Sequence, residues 1–192
     1  MKRDSVPSVI VAAIYLSLSL LFTDFRPVFE FNPDEGNNLI KGLLLLQGQS
    51  FAHGIWSDQP PLFSYALLAC FELFGVDVGV ARGLVLVMSA VLVFALYDSV
   101  RQLAVPRAGT SAAHLGATLA VVCLLVSARF APLRVAVMIG LPSIAMLALA
   151  LWAALAAGFG ENEPRSRAPL RVAAGAFLAL SLAIKLFTLF VA

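Results

Sequence analysis

Charge is what this chain has least of: Asp, Glu, Lys and Arg make up 12% of its 192 residues, about half of what soluble domains carry. Hydrophobic residues reach 61% and the mean hydropathy is +0.95, more apolar surface than one soluble core hides. Cysteine is nearly missing as well. Cys70 and Cys123 both sit inside apolar stretches, which excludes a disulfide-stapled secreted fold and a zinc module. The 13 basic residues form no tract interleaved with aromatics, so nucleic acid is excluded as a partner. No internal repeat or low-complexity linker divides the chain, which reads as a single domain over residues 1–192. The solvent for most of it is membrane lipid.

What is present is a set of uncharged runs: Ser5 to Thr23, Gly83 to Tyr97, Ala108 to Ala128 and Val135 to Gly160, of 19, 15, 21 and 26 residues. A helix crosses the hydrocarbon with roughly 20 apolar residues, helped by flanking charges that snorkel, so each run is a candidate span. A fifth, Val172 to Ala192, is interrupted by Lys185 alone. The first run follows Met1-Lys2-Arg3 but has no small-residue cleavage site before Asp24, and it reads as an uncleaved first transmembrane helix.

Gln59 to Phe71, 13 residues between Asp58 and Glu72, decides the topology. If it stays at the interface, 7 Lys and Arg fall on the cytoplasmic side against 5 outside; if it spans, the counts exchange. Length and charge together favour an interfacial or re-entrant helix. The expected fold is therefore all-α and integral to the membrane, with about five transmembrane helices and a cytoplasmic N-terminus. Juxtamembrane helices occupy a first outer loop over residues 24–79. Later helices are expected near 80–100, 112–130, 135–158 and 172–192, with cytoplasmic turns around Pro106 and Pro164.

Seven of the 11 acidic residues fall in the outer segment. Within it, Asn32-Pro33-Asp34-Glu35 has the form of a helix start, with Asn32 as N-cap and Glu35 reaching back as in a capping box. Leu39, Leu43 and Leu46 follow at i, i+4 and i+7, with Asn38, Lys41 and Gln49 off that stripe, which predicts a short amphipathic helix on the membrane surface. Complementing the helix dipole accounts for Asp34 and Glu35 without any chemistry. A rigid turn with Trp56 as interface anchor likewise accounts for Trp56-Ser57-Asp58-Gln59-Pro60-Pro61-Leu62. Lys185 is either a snorkelling residue or an inward contact to a lipid phosphate; near a helix centre it costs about 2.5–3.5 kcal/mol. His53 and His114 have no partner at metal-ligand spacing.

Taken together, Pro33 to Gly36 (PDEG), Asp58 to Leu62 (DQPPL), Leu73 to Gly75 (LFG), Arg82 and Ala183 to Thr188 (AIKLFT) give the chain a resemblance to a known family. It resembles the GT-C membrane glycosyltransferases, in particular the protein O-mannosyltransferase and aminoarabinose-transferase (ArnT-like) branch, which uses polyprenyl-phosphate sugars. The motifs are spread over the whole chain, which corresponds to about the first third of a typical member, so a fragment of a longer enzyme is expected. The resemblance implies a GT-C-like fold in a bacterial inner (plasma) membrane with the active site on its outer face. It also implies a polyprenyl-phosphate sugar as donor and a lipid, polysaccharide or protein as acceptor.

By the same resemblance Asp34 is the catalytic base and Glu35 its catalytic neighbour, while Asp58, Gln59, Arg82 and Lys185 bind substrate. Asp58 is also the residue on which a metal role would fall, since the family sometimes organises its site with a divalent cation. The chain departs from ArnT-like members at Gln59, where they often carry Lys, and at Gly140-Leu141-Pro142, where they often carry a second Asp. Arg129 and Arg134 share the outer side and offer further cations.

A rival from another class is a non-catalytic membrane protein, a transporter half or an assembly subunit, with Asp34 and Asp58 structural or ion-contacting. Such a protein would show helix breaks near the midplane of paired helices, which Gly140-Leu141-Pro142 alone suggests. An inactive fragment of a glycosyltransferase is a third reading. Cysteines introduced at positions 34, 58 and 104 test the topology: an impermeant thiol reagent added outside should label 34 and 58 and spare 104, and the opposite pattern would overturn the map.

Overall fold

The computed structural model describes residues 5–22, 33–158 and 167–186. The expected cap at Asn32, the turn at Pro164 and the last residues of the AIKLFT motif lie outside that set. Among the described residues the chain is entirely helical, in seven elements. These are α1 (Val6–Phe22), α2 (Pro33–Leu46), α3 (Leu62–Phe74), α4 (Val78–Leu125), α5 (Phe130–Leu133), α6 (Gly140–Ala157) and α7 (Ala168–Ile184). Two of them, α4 and α6, are long and apolar enough to cross a membrane. With 13 residues, α3 extends about 20 Å, too short to cross.

Helix α4 starts where Asp77 caps it, accepting hydrogen bonds from the Gly79 and Val80 amides at 2.7 and 3.3 Å. Pro106 lies inside the helix and cannot donate to the backbone ladder, and Gly109 takes a φ of 78°, where the helix breaks. In a straight helix, Tyr97 and His114 would stand about 25 Å apart. Instead the Tyr97 hydroxyl and His114 Nδ1 are 2.9 Å apart, so the second arm folds back beside the first. Ala113, Ala117 and Val121 of the returning arm are buried, as are Val85, Leu86 and Val93 of the outgoing one.

The remaining helices join this hairpin through small residues and paired polar groups. Ala145, Ala150, Ala153 and Ala157 of α6 are buried, as is Ala174 of α7, and such short side chains let helix backbones approach. Ser143 and Ser181 clasp α6 to α7: the Ser181 hydroxyl donates to the Ser143 carbonyl at 2.8 Å, and the Ser143 hydroxyl to the Ser181 carbonyl at 3.1 Å. Helix α1 is tied to α4 by the Tyr15 hydroxyl, which donates to Ser89 Oγ at 2.8 Å while Ser89 donates to the Leu86 carbonyl.

Three expectations shift. The helix expected from about 135 starts at Gly140, because Val137 is held by side chains of α2 and its peptide units are not free to enter a helix. The helix expected over 172–192 runs from Ala168 to Ile184, and Lys185 caps it in an extended conformation. It is therefore not a mid-helix charge. Lastly, α2 does not bury its leucine stripe most deeply. Its buried residues are Glu35, Gly36, Asn38, Gly42 and Leu45, while Leu39, Leu43 and Leu46 are half-buried. Gly42 makes this possible, since a Cβ there would come within 3.1 Å of Leu67 and Phe71 on α3.

At one end of the bundle, Asp98 of α4 is 1% exposed and collects donors from three helices. Ser8 of α1 donates at 2.6 Å, Arg101 and Gln102 of α4 at 2.6 and 2.8 Å, and the Trp152 indole of α6 at 2.7 Å. A buried carboxylate is tolerable when it is paired and hydrogen-bonded in this way. Asp98→Asn keeps the volume but removes the charge and turns an amide donor toward donors. It should destabilise the fold by about 3–5 kcal/mol, read as a lower thermal-unfolding midpoint in detergent. An unchanged midpoint would mean the helices do not depend on this hub.

Candidate active site

At the other end of α4, residues from several elements line a cavity of about 670 Å3. Helix α2 contributes Asp34, Asn37, Asn38 and Lys41; the segment before α3 contributes Trp56, Asp58 and Gln59. Arg129, Met138 and Gly140 come from the approach to α6, and Lys185 from the end of α7. Asp34, Asn37, Asn38 and Lys41 recur at i, i+3, i+4 and i+7, so they share one helical face, and that face lines the cavity. The lining also includes the apolar side chains of Leu92, Leu124, Leu141 and Ile144.

Of the residues singled out by sequence, Asp34, Asp58, Gln59 and Lys185 therefore meet in one place. Asp58 is open, its side chain 58% exposed, with the Lys41 ammonium 3.9 Å away. Lys185 reaches across to the start of α6, its Nζ 4.0 Å from where a Gly140 Cβ would stand. The Gly140-Leu141-Pro142 position, which carries no acid, thus forms part of the wall beside an ammonium group.

Glu35 and Arg82 do not line the cavity; they lie behind it and hold each other. Arg82 Nε donates to Glu35 Oε1 at 2.8 Å and its terminal nitrogen to Oε2 at 2.9 Å, with both residues buried. The Val137 amide adds a 3.2 Å bond to Glu35 Oε1, and Asn38 Nδ2 donates to the Val137 carbonyl at 2.9 Å. Glu35 and Asn38, one turn apart on α2, grip both polar atoms of the same residue. In this geometry they fix the 134–139 segment against α2 and so shape the wall that carries Met138 and Gly140. Glu35, the catalytic neighbour by the family resemblance, and Arg82, a substrate contact by the same resemblance, form a mutual fork-to-fork pair in this arrangement.

Burial by itself would raise the Glu35 carboxyl, but the Arg82 guanidinium and the Val137 amide outweigh it and hold the group below its ordinary value. A depressed carboxylate contributes stability above its unfolded-state value and loses it as pH falls through the folded one. The pair is therefore fully formed at neutral pH and weakens only in acid.

A divalent cation held wholly by protein ligands has no ready-made cage among the described residues. Among the described residues no three His, Cys, Asp or Glu side chains gather, and Asp58 already faces an ammonium. Such an ion is usually held by several oxygen ligands. Sequence reasoning missed Lys41 and the Asn37–Asn38 face, although their spacing from Asp34 was legible. His114, left without a metal partner by its spacing, is engaged by Tyr97.

In comparisons with known proteins, no protein-family model, no curated protein and no solved structure matches the chain. The functional reading therefore rests on the cavity and on the motifs that line it.

The buried pair offers a direct test. Arg82→Met strands the Glu35 carboxylate and should cost about 3–5 kcal/mol. The double variant Glu35→Leu/Arg82→Met should recover much of that loss. Simple additivity in this cycle, measured by thermal unfolding in detergent, would show that the two side chains are not coupled.

Proposed function

We propose that the chain is part of a membrane glycosyltransferase of GT-C type that transfers a sugar from a polyprenyl-phosphate donor at the outer face of a bacterial plasma membrane. Its helices would make about five crossings, with the two arms of α4 counted separately and the N-terminus in the cytoplasm. The observation that carries the reading is the convergence of Asp34 and Asp58 on one cavity whose lining also bears Arg129 and Lys185 and a run of apolar side chains. A lipid-linked sugar phosphate needs these three things together: an acidic group at the interface, positive charge for the phosphate, and an apolar channel for the chain. At about 670 Å3 the cavity is within the range of small-molecule sites, about 300–1,000 Å3.

The chemistry follows as an inverting displacement. Asp34 accepts the proton of the acceptor hydroxyl while that oxygen forms its bond to the anomeric carbon. The bond from the anomeric carbon to the phosphate oxygen breaks, and its electron pair leaves with the polyprenyl phosphate. Negative charge gathers on that phosphate, and Lys185 and Arg129 stand on the cavity wall to meet it. Arg82 is paired with Glu35 and does not line this cavity.

The test uses the intact protein in proteoliposomes with a panel of radiolabelled polyprenyl-phosphate sugars. Asp34→Asn should lower turnover about 10²–10⁴-fold, the range for a general base, at unchanged expression. Turnover equal to the parent would sink the assignment of Asp34.

A further inference from the structure

The segment that presents Asp58 packs through buried Ile55 and through Phe51 against Tyr65 of α3, and its polar tie to α2 runs through Lys41. Lys41, its side chain 13% exposed, donates from Nζ to Ser57 Oγ at 3.1 Å and lies 3.9 Å from Asp58 Oδ1. The Ser57 hydroxyl donates to the Gln59 carbonyl at 2.9 Å and accepts from the Gln59 amide at 3.3 Å. With Lys41 as its second donor, that hydroxyl has its one donor and two acceptor positions filled. Gln59 Nε2 closes the loop on Asp58 Oδ2 at 3.3 Å. Before this knot the chain bonds to itself in the turn at Ser50–His53, and after it come Pro60 and Pro61, which have no N–H to give.

Lys41 and Asp34 are seven residues apart on α2, two helical turns, so they share a face. One short helix thus carries the first carboxylate and, two turns on, the anchor for the second. We propose that Lys41 is a positioning residue that sets where Asp58 stands over the cavity relative to Asp34, acting through Ser57 and touching no substrate itself. The catalytic part of this inference rests on the glycosyltransferase reading; the anchoring part does not.

Trp56 is the natural reporter, since it adjoins Ser57 and is 81% exposed, while Trp152, the other tryptophan, is bonded to Asp98. In the intact protein in nanodiscs, Lys41→Met should lower the fluorescence anisotropy contributed by Trp56, taken as the difference from Trp56→Phe, with helical content unchanged. Ser57→Ala should do the same without altering charge, and Lys41→Arg should restore the parent value. In the transfer assay Lys41→Met should lower kcat by about 10²-fold, the scale of a misplaced group, with the donor KM changed little and with recovery in Lys41→Arg. Unchanged anisotropy in both Lys41→Met and Ser57→Ala would overturn the anchoring. A loosened segment with full kcat, or a raised donor KM with kcat kept, would overturn the positioning role, the second by making Lys41 a substrate contact. If the parent protein transfers no sugar from any donor offered, the glycosyltransferase reading and the positioning role fall together, and the anisotropy still decides the anchoring.

Discussion

A carboxylate and a guanidinium withdrawn from water must neutralise each other or unfold what surrounds them, and Glu35 and Arg82 meet across 47 residues of sequence. The pair joins α2 to α4, and through the Val137 amide it also captures the segment ahead of α6. Three parts of the chain far apart in sequence are thereby held around one volume. The packing of Gly42 on α3 and the bond from Asn38 to the Val137 carbonyl add to that lock, and together they fix the walls that carry Asp34 and Gly140 relative to each other. The cavity exists because charges that cannot be left alone are buried just behind it.

Asp98 does comparable work at the other end of α4. Lipid offers helices little reason to associate through apolar contact, since its tails are as apolar as leucine. Hydrogen bonds between helices and close approach of small residues take over. The hub on Asp98, the Tyr15–Ser89 bond and the Ser143–Ser181 clasp are spread along the bundle and supply that cohesion. At the cavity end such ties are joined by charged groups that face one another.

Much of this was legible before any coordinates. The low charge and the long apolar runs pointed to helices in lipid, the 13-residue stretch was too short to cross, and Pro106 marked a turn between two helices. Asp34 and Asp58 were paired by motif and do line one cavity. Other features were invisible for physical reasons. Periodicity assigned the buried face of α2 to leucines, yet Glu35, Asn38 and Gly42 lie deepest because Arg82, Val137 and Phe71 offer partners that a helical wheel does not contain. Lys185 was weighed as a mid-helix charge, but α7 ends one residue before it.

Local chemistry in the sequence determined the elements themselves: helix from hydropathy and propensity, breaks from Pro106 and Gly109, a cap from Asp77. These depend on neighbours within a few residues, and a sequence displays such neighbours openly. The tertiary structure alone decided which charges are silenced and which remain available. Arg82 is taken by Glu35, Lys41 by the knot at Ser57, and the helix start at Gly140 is set by the grip on Val137. Each is a competition between partners distant in the chain, and its outcome is set by distances that exist only once the helices have packed.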